Sequence, residues 1–171
     1  MTVTSIRENI LEHIRGTTLP LIDANGDYNL SLNTISRVFK EPKNISSEDY
    51  PYVIILDDFR TAYTWLSNFE YTTGQTQSDV KTGMLIGLMA YVQIEDPGKV
   101  DLTGLLSTEC NKMHSDLLIA MHNDVSLGGY ANSGMALLSS VNAINLATKF
   151  TGAVFHLYSI KYDFAPSNSV T

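Results

Sequence analysis

The sequence predicts an α+β fold: a mostly antiparallel β-sheet with one long helix packed on a face and a short N-terminal helix. Three features predict it. Strand-like segments recur at 35–40, 52–56, 62–72, 83–94, 137–147 and 152–164. One stretch, 102–121, places apolar residues at spacings of three or four instead. No repeat, linker or low-complexity segment divides the 171 residues, so residues 1–171 read as a single domain with a polar C-terminal tail from about 165 to 171.

Taken in order, Ser5-Ile6-Arg7-Glu8 matches a capping box, in which Ser and Glu side chains satisfy free amides at a helix start. Ile6, Ile10, Leu11 and Ile14 follow at helical spacing, and Gly16 supplies a stop. Residues 17–33 are rich in turn formers and read as irregular. A short strand is expected over 35–40, closed by Pro42. Pro51 leads into Tyr52-Val53-Ile54-Ile55-Leu56, a strand apolar on both faces.

Residues 62–72 alternate, with Tyr63, Trp65, Phe69 and Tyr71 on one face and Thr64, Asn68 and Glu70 on the other. Such an aromatic face suits an interface or a core, and core is favoured for Trp65. Residues 73–82 hold no hydrophobic residue but Val80 and read as an exposed, mobile loop. A long strand over 83–94 then reaches a turn at Glu95-Asp96-Pro97-Gly98. Asp101 is placed to cap the long helix, whose stripe is Leu102, Leu106, Cys110, Met113, Leu117 and Met121.

Composition narrows the function. Charged residues are 17% of the chain and apolar residues 44%, so charge is scarce beside the usual ~25%. Either a large core or a surface covered by partners gives that figure. The formal charge is −7, with 11 Lys and Arg against 18 acidic residues and no basic run. Phosphate contacts need such a footprint, which argues against nucleic-acid binding as the main activity. An acidic wall can nevertheless line a passage through which DNA slides.

The one cysteine, Cys110, permits no internal disulfide, which points to a reducing compartment. The segment Met1-Thr2-Val3-Thr4-Ser5-Ile6-Arg7-Glu8 lacks the pattern of a secretory signal. The longest apolar run, 84–92, is about half of what a membrane helix needs. A soluble protein made in the cytoplasm is expected.

Candidate chemical groups are few and scattered. Asp23-Ala24-Asn25-Gly26-Asp27 places its glycine at the fourth position of a calcium loop instead of the sixth, and Thr34 stands where the bidentate Glu belongs. A plain turn is the better reading. Glu41-Pro42-Lys43, with Asp27, has the spacing of part of a nuclease metal site, but proline does not suit an inner strand. Asp57 and Asp58 are strand neighbours that point apart.

His114 and His122 are eight residues apart, ~12 Å along a helix. His13 and His156 fall on other elements, so the histidines are not expected to converge. Cys110 reads as buried filler. No catalytic, cofactor-binding or metal-binding residue is assigned, no cofactor is implied, and no enzyme is expected.

The order and spacing of the elements resemble the tail terminator proteins of long-tailed phages. The likeness is carried by Thr4-Ser5-Ile6 opening a helix; Ile35-Ser36-Arg37-Val38; and Asp49-Tyr50-Pro51-Tyr52-Val53-Ile54, a proline–aromatic step into a buried strand. It continues through the polar hairpin loop, the strand ending Ala90-Tyr91-Val92-Gln93, the 102–121 helix and Ile160-Lys161-Tyr162. The stretch 123–138 is longer than the resemblance needs.

The resemblance implies a virion protein of the tail or neck that forms a six-fold ring. Such a ring caps the tail tube, stops its growth and presents a head-joining surface. Its partners would be copies of itself, the tube protein and a head–tail connector or head-completion protein, with DNA passing through the lumen unbound. Another neck ring, a tail-completion protein, the tube protein itself and, from a different class, a metal-dependent nuclease are the alternatives.

Overall fold

The structure, a computed structural model, describes residues 5–57, 71–75, 80–94, 101–132, 134–145 and 150–164. They form a mixed α+β fold: one six-stranded sheet with two α-helices, α1 (Ile6–His13) and α2 (Leu102–Asn123). The strands are β1 (Thr34–Ser36), β2 (Tyr52–Leu56), β3 (Tyr71–Gln75), β4 (Val80–Gln93), β5 (Met135–Asn145) and β6 (Thr151–Phe164). Their order is β1-β2-β4-β6-β5, and β3 shares one flank of β4 with β2: β3 pairs with residues 80–83 and β2 with residues 87–91. Every pairing is antiparallel except β1 with β2, which is parallel.

α1 starts where the Ser5 side chain accepts the Glu8 N–H at 3.1 Å. The Glu8 carboxylate, which a capping box would turn back to Ser5, is held instead by Arg37. Arg37 also reaches Glu12 at 3.2 Å and Asp57 at 3.4 Å, tying α1 to the ends of β1 and β2. Gly16 does not stop the helix as expected. A wide π-type turn over Ile14–Thr18 and a 3₁₀ turn over Leu19–Leu21 carry the coil onward. Ile14, Thr18 and Leu19 are buried there, and that burial outweighs the ~1 kcal/mol a glycine costs inside a helix.

β1 is shorter than the expected 35–40. The Ser36 hydroxyl accepts the Val38 N–H at 3.0 Å and turns the chain, leaving Val38 and Phe39 in solvent. The expected loop at 73–82 is corrected as well: residues 73–75 belong to β3 and 80–82 to β4. Ladder hydrogen bonds hold polar residues as readily as apolar ones, and residues 80–82 pair with β6 besides. The expected strand from 62, with Tyr63, Trp65 and Phe69, lies outside the described residues, as do the turn at 95–98 and the tail at 165–171. Tyr71 opens β3.

β2 is buried at all five positions because both sheet faces are covered there. On one face Val53 and Ile55 join α1, the turns after it and α2; alternate residues of β4 (Met84, Ile86, Leu88, Ala90, Val92) and of β6 (Val154, Tyr158, Ile160, Tyr162) complete that core. On the other face Ile45 and Tyr50, from the irregular segment before β2, cover Tyr52, Ile54, Leu56, Tyr91 and Leu157. α2 is capped as expected, Asp101 accepting the Gly104 N–H at 3.1 Å. Its buried stripe is Leu106, Cys110, Met113, Leu117, Ala120 and Met121, with Asp116 among them. Burying each of the larger apolar side chains contributes roughly 1.5–3 kcal/mol.

Candidate assembly surface

The feature that stands apart is β5. It is one end of the strand path, and among the described residues only β6 pairs with it. Its sequence, Met135-Ala136-Leu137-Leu138-Ser139-Ser140-Val141-Asn142-Ala143-Ile144-Asn145, contains no charge and no proline. From 136 to 143 every side chain is exposed, and the large apolar ones are well out in solvent: Leu137 40%, Leu138 55% and Val141 54%. A solvent-facing edge strand offers free N–H and C=O groups to any passing strand, and natural edges are usually guarded by lysine, proline, brevity or a β-bulge. Of these β5 carries only the last, a register shift between Leu137 and Ser139.

Beneath β5 a polar cluster joins it to α2 and β6. Ser140 Oγ lies 3.2 Å from His114 Nδ1, and the same nitrogen lies 2.8 Å from His156 Nε2. His156 Nδ1 meets the Tyr158 hydroxyl at 3.2 Å. Asn142 Nδ2 donates to Asn111 Oδ1 of α2 at 3.3 Å. The expectation that the histidines stay apart is therefore wrong for this pair. His114 and His156 are 42 positions apart, and the crossing of α2 over β6 brings them together.

His156 is fully buried. Burial first, and the neighbouring His114 second, depress its pKa to about 4, so it is neutral near pH 7. Burial likewise pushes the Tyr158 hydroxyl up. Ser140 and His156 meet the same nitrogen of His114, so no relay runs from the Ser140 hydroxyl through both nitrogens of that ring, as a serine–histidine triad requires. His156 is the ring bridged at both nitrogens, to His114 and Tyr158.

The remaining candidates take other roles. His13 Nε2 bonds Asp124 Oδ2 at 2.8 Å, and the same oxygen accepts from Thr18 at 2.7 Å. Burial alone would raise the Asp124 pKa, but Thr18, His13 and the Gly128 amide together hold it below the usual carboxylate range. Asp124 thus anchors the turn after α2 to the end of α1, which gives part of the unassigned 123–138 stretch a structural role. His122 is exposed near the end of α2.

Asp23 accepts the Asn25 N–H at 3.1 Å and the Ser31 hydroxyl at 2.8 Å, and Gly26 N–H bonds Asp23 O, so the 23–27 segment is a turn. Glu41 and Lys43 form an exposed ion pair at 2.6 Å around a 3₁₀ turn. Among the described residues no three His, Cys, Asp or Glu side chains gather to hold a metal ion. Asp57 pairs with Arg37, while Asp58 lies outside the described residues. Cys110 is buried, with its thiol pushed up by burial and then by Glu109. Among the described residues no helix is long and apolar enough to cross a membrane.

Asp116 was not singled out by sequence reasoning. Fully buried on α2, it accepts the Asn29 N–H at 3.0 Å, the Leu30 N–H at 2.8 Å and Asn29 Nδ2 at 2.7 Å. It fixes the irregular connection before β1 against the helix. No protein-family model matches the chain, and no curated protein matches it.

Proposed function

We propose that this chain is a structural virion protein, a tail terminator whose copies form a hexameric ring that caps the tail tube, halts its polymerisation and offers a head-joining surface. The order of elements supports the family reading. The observation that carries assembly is β5, an eleven-residue edge without charge or proline that exposes Leu137, Leu138 and Val141. An edge of this kind on a free monomer invites aggregation, and burying it in a closed ring removes the hazard.

Electron microscopy of the purified protein, alone and mixed with tail tubes of the phage that encodes it, tests the reading. Closed rings seated at one tube end, with tube growth halted, are expected. Open tubes built from this chain alone would point to the tube protein. Rings that bind a head connector but no tube end would point to another neck component.

A further inference from the structure

Resting on the ring reading, we infer that closure is head-to-tail and joins the two opposite edges of one sheet. β5 of each copy receives the β1 edge of the next, with Val38 and Phe39 packing against Leu138 and Val141. A closed ring with more than two subunits needs two different, complementary surfaces on every chain. With β3 lying off it against β4, the strand path among the described residues ends at β5 and β1. Each carries exposed apolar side chains: those of β5, and Val38 at 66% and Phe39 at 39% just past β1.

Electrostatics favours the same contact. Each copy carries −7 overall, and copies approach with least repulsion where one of the two surfaces, β5, holds no carboxylate. Beside Val38, the Arg37 guanidinium already faces three carboxylates of its own chain, Glu8, Glu12 and Asp57. That leaves Arg37 no spare positive charge, so the chargeless β5 is the surface that this end of the sheet meets with least repulsion.

The bulge in β5 decides between two β5 edges meeting each other and β5 meeting β1. A register shift between Leu137 and Ser139 bends the edge, so a long straight partner such as another β5 loses alignment partway along. A three-residue partner such as β1 fits on one side of the bulge. Three paired residues span only ~10 Å, so the strand pairing sets the register while Val38 and Phe39 add apolar contact beside it. A contact between two β5 edges would also leave Val38 and Phe39 in water.

Two variants test this in the full chain without tail tubes. Leu138→Lys with Val141→Lys disables β5, and Val38→Lys with Phe39→Lys disables the β1 edge. All four positions are exposed, so circular dichroism and unfolding midpoints should match the unmodified protein.

In sedimentation velocity each variant alone should be monomeric at ten times the concentration at which the unmodified protein forms rings. An equimolar mixture of the two should give a 1:1 dimer and nothing larger, because one intact β5 and one intact β1 edge remain. Rings from the Val38/Phe39 variant alone, or a mixture that stays monomeric, would overturn the inference while leaving the ring reading intact. An unmodified protein that forms no ring would sink both.

Discussion

At the scale of single residues, the least legible features were those made by distant neighbours. Cys110 was readable as core because it falls on the stripe of its own helix. The His114–His156 pair and the Asp116 clamp were not, since each depends on where α2 crosses a segment far away in sequence. Two expectations follow from these contacts. Gly152 faces Cys110 so closely that an added methyl would overlap its sulfur, with Val92 Cγ2 at 3.2 Å as well. Gly152→Ala should lower stability by about 1–3 kcal/mol, as overpacking does, measured by urea unfolding; an unchanged midpoint would refute that placement of α2 on β6.

His156 gives a pH dependence of definite sign. In the unfolded chain it takes up a proton near pH 6.5, whereas the fold keeps it neutral down to about 4. Its neutral state imposes no penalty above ~6.5. Between there and 4 the unfolded state binds a proton that the folded state refuses, so stability falls by up to about 1.4 kcal/mol per pH unit. Below 4 this contribution levels off. His156→Gln should flatten the slope between pH 6.5 and 5, before most carboxylates titrate. Equal slopes for the two proteins in that range would show that His156 is not buried in neutral form.

Among the elements, legibility followed the strength of local pattern. β2, β4, β6 and α2 were readable because apolar runs and a capped stripe mark them directly. Gly16 misled because burial of Ile14, Thr18 and Leu19 outvoted a local breaker. Residues 73–75 and 80–82 misled in the opposite sense: a hairpin needs backbone partners, which a count of hydrophobic residues does not register. β1 was over-extended because Val38 and Phe39 look like strand interior, whereas they are exposed.

The edge that β5 presents among the described residues was visible only in part. Its residues read as a strand, but its place at the end of the sheet is a property of topology. Edge strands bond through alternate amides, so half of those in β5 should exchange rapidly in the free subunit, while those of β4 at 84–92, paired on both sides for most of that length, exchange slowly. Assembly should protect the outward β5 amides. Hydrogen exchange on free and assembled protein measures this, and rapid exchange persisting in the ring would exclude β5 from the interface.

For the whole molecule, net charge and surface chemistry act in opposite directions. Copies at −7 each repel one another, while the exposed side chains of β5 and of the segment after β1 favour contact. Exposed ion pairs contribute ~0–1 kcal/mol apiece, and β5 offers no charged residue to form one. Apolar burial at about 25 cal/mol per Å² over an ordinary interface contributes more than such pairs, even after the entropy of association is subtracted. Raising sodium chloride from ~0.1 M to ~1 M shortens the screening length from ~10 Å to ~3 Å. That weakens the repulsion and leaves the apolar contact in place, so rings should persist or form at lower protein concentration. Sedimentation at the two salt levels decides the matter: rings that dissociate to monomers as salt rises would mean that charge pairing holds the subunits, and the apolar edge would not be what joins them.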